Sequence, residues 1–135
     1  MPVSTEDYLG VVEHIARYCW AVDSGDGDKW VAVWTEDGVF TGITPEPLVG
    51  HDALRQVPPG IHAQYEGTIC HLAGNITCEY ADDHDTVYAH LYNYVSTWVP
   101  GQGGQHQAMA KCRMTLVRNG AGWLLRRNEA QLFSG

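Results

Sequence analysis

Hydrophobic and polar positions divide the chain into a helical first part and a strand-rich remainder. Between Thr5 and Asp23, apolar residues recur at Leu9, Val12, Ile15, Ala16, Cys19 and Trp20. That is the three-to-four-residue spacing of one helix face. Ser4 stands where an N-cap belongs, and Asp7 three positions on gives a box-like start, with Asp in place of the usual Glu or Gln. Asp23-Ser-Gly-Asp-Gly-Asp28 then breaks the helix, because glycines and short acids favour turns. A second short helix is predicted from about 28 to 34 or 35, with Trp30, Val33 and Trp34 on its apolar face. Glu36-Asp-Gly38 reads as a turn into a strand over 39–43. Past Pro45 and Pro47, residues 50–55 read as a third short helix, stopped by Pro58 and Pro59.

Beyond this point the period changes from helical to two. Strands are predicted over 64–80, 86–99, 106–118 and from 123 to 128 or 132. Asp82-Asp-His-Asp85, Pro100-Gly-Gln-Gly-Gly104 and the hairpin turn Asn119-Gly-Ala-Gly122 separate them. Helices first and a meander of long strands after make an α+β fold: a curved antiparallel or mixed sheet packed as a cone against three N-terminal helices. A length of 135 residues suits one domain over 1–135.

Charge narrows the partners. Eight Lys and Arg stand against 16 Asp and Glu, a net of −8. No basic footprint for nucleic acid appears, and an anionic membrane would repel the chain. Cys19, Cys70, Cys78 and Cys112 show no CxxC spacing and read as free, mostly buried thiols. The first residues lack the basic and apolar regions of a signal peptide, and no apolar run approaches membrane-spanning length. A soluble, cytoplasmic protein is expected. Histidines at 14, 51, 62, 71, 84, 90 and 106 form no HExxH or comparable metal pattern. There is no phosphate-cradling glycine loop and no GxSxG, so cofactor-free, metal-free chemistry is expected.

The open end of such a cone is a natural small-molecule cavity. Asp23, at the junction of the first helix and its turn, either faces that cavity or serves the turn. His71 lies in the apolar run Ile69-Cys-His-Leu-Ala-Gly-Asn75, and alternation puts Asn75 on its face. A lone strand histidine is more often structural than catalytic. In the strand over 87–95, Tyr88, His90, Tyr92 and Tyr94 share one face, and Ala89, Leu91 and Asn93 the other. The tyrosine face suits either a pocket or an oligomer interface, and the pattern leaves both open. One of Arg126 and Arg127 should point inward to pair with an acid or stabilise an anion. Trp20, Trp30, Trp34 and Phe40 supply rings for an apolar pocket wall, although tryptophans at helical spacing are ordinarily core.

Read together, Tyr18-Cys-Trp-Ala-Val-Asp23-Ser-Gly-Asp-Gly-Asp28-Lys-Trp30, Trp34-Thr-Glu-Asp37-Gly-Val-Phe40, Gly50, His71-Leu-Ala-Gly-Asn75 and Gly122-Trp-Leu-Leu-Arg-Arg-Asn128 resemble the SnoaL-like branch of the nuclear transport factor 2-like superfamily. The resemblance spans nearly the whole chain and rests on the order of these motifs. It implies the same cone with three N-terminal helices. Within the branch the pattern is nearest to scytalone dehydratase, bile acid 7α-dehydratase and hexachlorocyclohexane dehydrochlorinase, which pair an Asp with a His to abstract a proton. Those positions fall on Asp23 and His71, and the dehydrochlorinase-like arginine falls on Arg127. Scytalone dehydratase has a carbonyl-polarising tyrosine directly before its aspartate. Val22 stands there in this chain, which leaves Tyr18, Tyr88 or Tyr92 for that role.

The expected function is thus a cofactor-independent lyase acting on a small, largely apolar ring compound. His71 would be the base, Asp23 its orienting partner, and Arg127, Asn75 or a tyrosine the anion stabiliser. An isomerase or cyclase using the same pair ranks second and a non-catalytic ligand-binding or assembly module third. An epoxide hydrolase ranks last, because no second cavity acid stands out. A homo-oligomer, dimer or trimer, is expected from the tyrosine-bearing face.

Overall fold

A computed structural model describes residues 1–66 and 68–133. Helix α1 (Thr5–Asp23) has the predicted ends, and the Ser4 hydroxyl accepts the Asp7 N–H at 3.1 Å. The box does not close reciprocally. The Asp7 carboxylate instead accepts the Tyr80 hydroxyl and both terminal nitrogens of Arg118, at 3.1 and 3.0 Å, clasping α1 to the far strands.

The Arg118 guanidinium, then the Tyr80 hydroxyl, holds the Asp7 carboxyl below its usual range. A depressed carboxyl contributes stability that is present above its unfolded pKa of about 3.9 and is lost as pH falls through the lower folded value. Asp7→Asn is therefore expected to be less stable than wild type near neutrality. It should also lose less of its stability between about pH 5 and pH 2. Urea midpoints across that range test this, and parallel curves for the two proteins would remove Asp7 from the acid response.

The buried face of α1 differs from the expected one. Val11, Ile15, Tyr18, Cys19 and Val22 are buried, whereas Leu9, Ala16 and Trp20 face solvent. The two stripes share Ile15 and Cys19, and period alone does not choose between them. Helix α2 (Gly27–Val31) is shorter than expected, with Asp26 capping the N–H groups of Asp28 and Lys29. Trp34 opens strand β1 (Trp34–Thr41) instead. The expected turn at 36–38 is a bulge within that strand, between the pairs Trp34–Leu125 and Val39–Arg127. A two-residue strand β2 (Leu48–Val49), not foreseen, pairs with β1. The third helix resolves into α3 (His51–Leu54) and α4 (Val57–Gln64). Pro58 and Pro59 sit in the first turn of α4, where a missing N–H costs no helical bond, so they begin a helix rather than stop one.

Strands β3 (Thr68–Tyr80), β4 (Thr86–Val99), β5 (Gly103–Asn119) and β6 (Gly122–Leu132) follow. Among the described residues, six strands form one mixed sheet in the order β2-β1-β6-β5-β4-β3, with β1 and β6 parallel and the other neighbours antiparallel. This sheet packs its inner face on the helices, as expected for the α+β cone. Tyr18, Trp30, Trp34 and Phe40 cluster between α1, α2 and β1, the two indoles edge-on at 5.3 Å.

Gly42 closes β1 at φ +97°, and a Cβ there would lie 1.7 Å from the Ala130 carbonyl oxygen. Gly42→Ala should cost about 1–3 kcal/mol from the backbone conformation alone, before the clash with β6 is counted. A urea midpoint unchanged from wild type would contradict this packing.

Candidate active site

Asp23 is the last residue of α1, where a carboxylate meets the negative end of the helix dipole. Its oxygens are compensated by donors from β3. The His71 backbone N–H reaches them at 2.9 and 3.1 Å, and the imidazole Nδ1 lies 2.6 Å from Oδ1. A carboxylate only accepts, so this contact assigns the proton to Nδ1 and leaves the Nε2 lone pair on the opposite edge of the ring. The pair is largely withdrawn from water, with side-chain exposures of 10% for His71 and 18% for Asp23. From the other side, His62 on α4 donates Nε2–H to the Asp23 carbonyl at 2.8 Å. Gly25, at φ +76°, lets the chain turn against that ring, since a Cβ there would lie 2.8 Å from it.

His71 stands on the wall shared by two adjoining spaces. An inner chamber of about 80 Å³ is bounded by Tyr18, Val22, Trp30, Phe40, Asn93 and Asn128 among others. A wider vestibule of about 540 Å³ runs past Leu48, Val57, Ile61, Tyr65 and Ile69. His71 contacts Asp23 and lines the chamber together with Tyr18 and Phe40. A buried His–Asp pair beside an apolar and aromatic cavity is consistent with a catalytic or binding site for a small apolar ring compound.

Other candidates lie elsewhere. Trp20 is 80% exposed, on the outer side of α1. Trp34 is buried in the aromatic cluster and lines neither space. Tyr88, His90 and Tyr92 project from the outer face of β4, because its inner face carries Ala89, Leu91 and Asn93. Out there the Arg113 guanidinium lies 4.1 Å over the Tyr88 ring, and His90 Nε2 is 3.6 Å from Glu79. Asn75 also lies off the cavity wall. It adopts φ +54° at a register shift between Gly74 and Thr77, which resets the alternation that His71 began.

Arg127 is corrected by the same device. β6 pairs Leu125 with Leu116 and Arg127 with Thr115, so Arg126 is an extra residue. Both arginines turn outward, with Arg127 Nε 3.7 Å from Glu129, and Asn128 takes the inward place with no exposure at all. Asn93 and Asn128 are polar residues of the inner chamber that the sequence pattern did not single out as site residues. Asn93 carried a usable signal, as the one polar residue alternating with Ala89 and Leu91.

Burial, followed by the charge of Asp23, pushes the Cys19 thiol up to about 12, and burial pushes Cys112, on the chamber wall, to about 11. Both stay protonated and are poor nucleophiles at neutral pH. Among the described residues, no three His, Cys, Asp or Glu side chains gather to hold a metal. No helix there is long and apolar enough to cross a membrane.

A curved mixed sheet over N-terminal helices is the nuclear transport factor 2-like, cystatin-like architecture. The chain belongs to the SnoaL-like domain family, whose profile matches residues 3–129. Aln2 from a Streptomyces species superposes with a TM-score of 0.89 at 23% identity, covering 97% of this chain and 94% of that one. A nuclear transport factor 2-like protein with a cystatin-like fold from Novosphingobium aromaticivorans gives 0.83 at 28% identity, covering 96% and 84%. A Catenulispora acidiphila protein solved in complex with S-DNPA gives 0.79 at 25%, covering 93% and 92%. No curated protein matches the chain by sequence.

Proposed function

We propose that the chain is a cofactor-independent lyase that eliminates water or a comparable leaving group from a small, largely apolar ring compound. The observation that carries this reading is the 2.6 Å contact from His71 Nδ1 to Asp23, which leaves Nε2 free on a residue that lines an apolar cavity. Imidazole, with an unperturbed pKa of about 6.5, is matched to proton abstraction near neutrality. Nε2 takes a proton from carbon, the C–H electrons form the new double bond, and hydroxide leaves the neighbouring carbon, taking the imidazolium proton to depart as water. Asp23 fixes the tautomer and stabilises the imidazolium while it exists. The resemblance to the dehydratases and the dehydrochlorinase supports the assignment, and the S-DNPA complex of the Catenulispora relative supports ligand binding.

An isomerase or cyclase is the second reading. It is favoured by one observation: among the described residues, no carboxyl group lines either space to protonate a leaving group, while Tyr18, Asn93 and Asn128 could steady an enolate. The epoxide hydrolase reading loses its support, because Arg127 lies outside the cavity. Self-association as a dimer or trimer through the face bearing Tyr88, Tyr92 and Tyr94 belongs to the same proposal, and sedimentation of the purified chain reads it.

Incubation with ring ketones bearing a hydroxyl β to the carbonyl, followed by mass spectrometry, tests the reaction class. A product lighter by one water supports the lyase. A product of unchanged mass supports the isomerase. Binding without turnover, insensitive to loss of His71, would leave a ligand-binding module.

A further inference from the structure

We propose that the inner chamber is a recognition site for one neutral hydroxyl on the ligand ring, held by Tyr18, Asn93 and Asn128 while the ring lies in the vestibule against His71. This rests on the reading above for where the ring sits, and adds which part of the ligand goes deepest.

The warrant is a pair of buried carboxamides with unspent hydrogen-bonding capacity. Asn128 is fully buried and Asn93 is 7% exposed; both line the chamber, and the Oδ1 atom of each has no partner among the described residues. Buried carbonyl oxygens are rarely left unpaired, because they have given up water without replacement. Two such orphans on one small cavity mark the place where a donor is brought in from outside. Asn128 Nδ2 donates to the Tyr18 hydroxyl oxygen at 3.1 Å. No acceptor for the Tyr18 proton is found among the described residues. Together the three residues present one O–H donor and two carbonyl acceptors; a ligand hydroxyl accepts the Tyr18 proton and donates its single proton to one carbonyl or shares it between the two.

Charge restricts the class further. Among the described residues, no Lys, Arg, Asp or Glu lines the chamber. Burial keeps the Tyr18 phenol well above its ordinary range, and the Cys112 thiol is raised to about 11, so both remain neutral donors. His71 is the other titratable group on this wall, and a proton on it is matched by Asp23. A carboxylate or phosphate pushed into this space would find two carbonyl oxygens and no cation of its own. An alcohol, phenol or enol fits. Besides Tyr18, Asn93 and Asn128, the lining carries polar groups at His71, Cys112 and Trp30, whose indole N–H is buried without a partner among the described residues; the rest is apolar, including Val22, Phe40 and Ala110.

Two probes of one shape test this, 2-naphthol and 2-methylnaphthalene, with 2-naphthoate as the charged comparison. Affinities come from calorimetry, and ¹H–¹⁵N spectra follow the side-chain amides of Asn93 and Asn128. In the wild-type protein, 2-naphthol should shift both carboxamide signals and bind more tightly than 2-naphthoate. Tyr18→Phe, which removes one oxygen and keeps the ring, should move the naphthol-to-methylnaphthalene affinity ratio at least about tenfold toward the hydrocarbon. Asn128→Leu and Asn93→Leu should do the same, and Tyr18→Phe keeps the test readable if a leucine variant misfolds. Tyr88→Phe, which removes a phenol from the outer face of β4, should leave the ratio within about twofold of wild type. A ratio unmoved by Tyr18→Phe and the folded asparagine variants, or tighter binding of naphthoate, overturns the proposal. Loss of the lyase reading registers separately, as turnover that survives His71→Gln while the ratio still depends on Tyr18.

Discussion

Replacing His71 with glutamine is expected to lower turnover by about 10²–10⁴-fold while the fold and ligand affinity stay close to wild type. Glutamine approximates the length of the imidazole and keeps the His71 backbone N–H that Asp23 accepts at 2.9 and 3.1 Å. What it removes is the lone pair on Nε2, which no neighbour can replace. The thiols nearby stay protonated, and Asp23 already faces Nδ1 rather than the cavity. The loss should appear in kcat with little change in KM, because proton abstraction is felt in the transition state and not in ground-state binding. Full turnover in a folded His71→Gln protein would end the proposal that this imidazole is the base.

Asp23→Asn should be nearly as damaging, at about 10²-fold or more, for a different reason. The carboxamide preserves size but can turn an N–H toward Nδ1, which must then accept. The imidazole proton moves to Nε2, and the edge facing the cavity becomes a donor. Asp23→Ala leaves the tautomer free, so Asn should be at least as harmful as Ala despite its closer shape. Imidazole ¹⁵N spectra would show the exchange directly. If Asp23→Asn kept turnover within about threefold of wild type, the orienting role would be lost even with the 2.6 Å contact intact.

The helix end at Asp23 and the strand around His71 are legible in the chain itself, whereas their pairing is read only through the resemblance to the SnoaL-like enzymes. Ser4 and the Asp23-Ser-Gly-Asp turn bound α1 to the residue, so Asp23 has to emerge at a helix end. His71 stands in an apolar run long enough to be a strand. Period two holds along β4, where Asn93 shares a face with Ala89 and Leu91. The misreadings come from what periodicity does not contain. A helix repeat does not choose between faces, so it puts Trp20 inside and leaves Tyr18 without its neighbours. An alternation rule also assumes an unbroken ladder, and both β3 and β6 break theirs with a shift of register. On that assumption Asn75 falls on the face of His71 and one of Arg126 and Arg127 falls inward, a place that the resemblance gives to Arg127.

The break in β6 has a consequence for which ions the protein could hold. Continued without the extra residue at Arg126, the strand would alternate Leu125 in, Arg126 out, Arg127 in, Asn128 out. A guanidinium would then occupy the wall that a carboxamide occupies now, with no change in composition. Backbone register, rather than any one substitution, acts as the selector between an uncharged chamber and an anion receptor. A chain of almost the same sequence could therefore change its preferred class of ligand by straightening one strand.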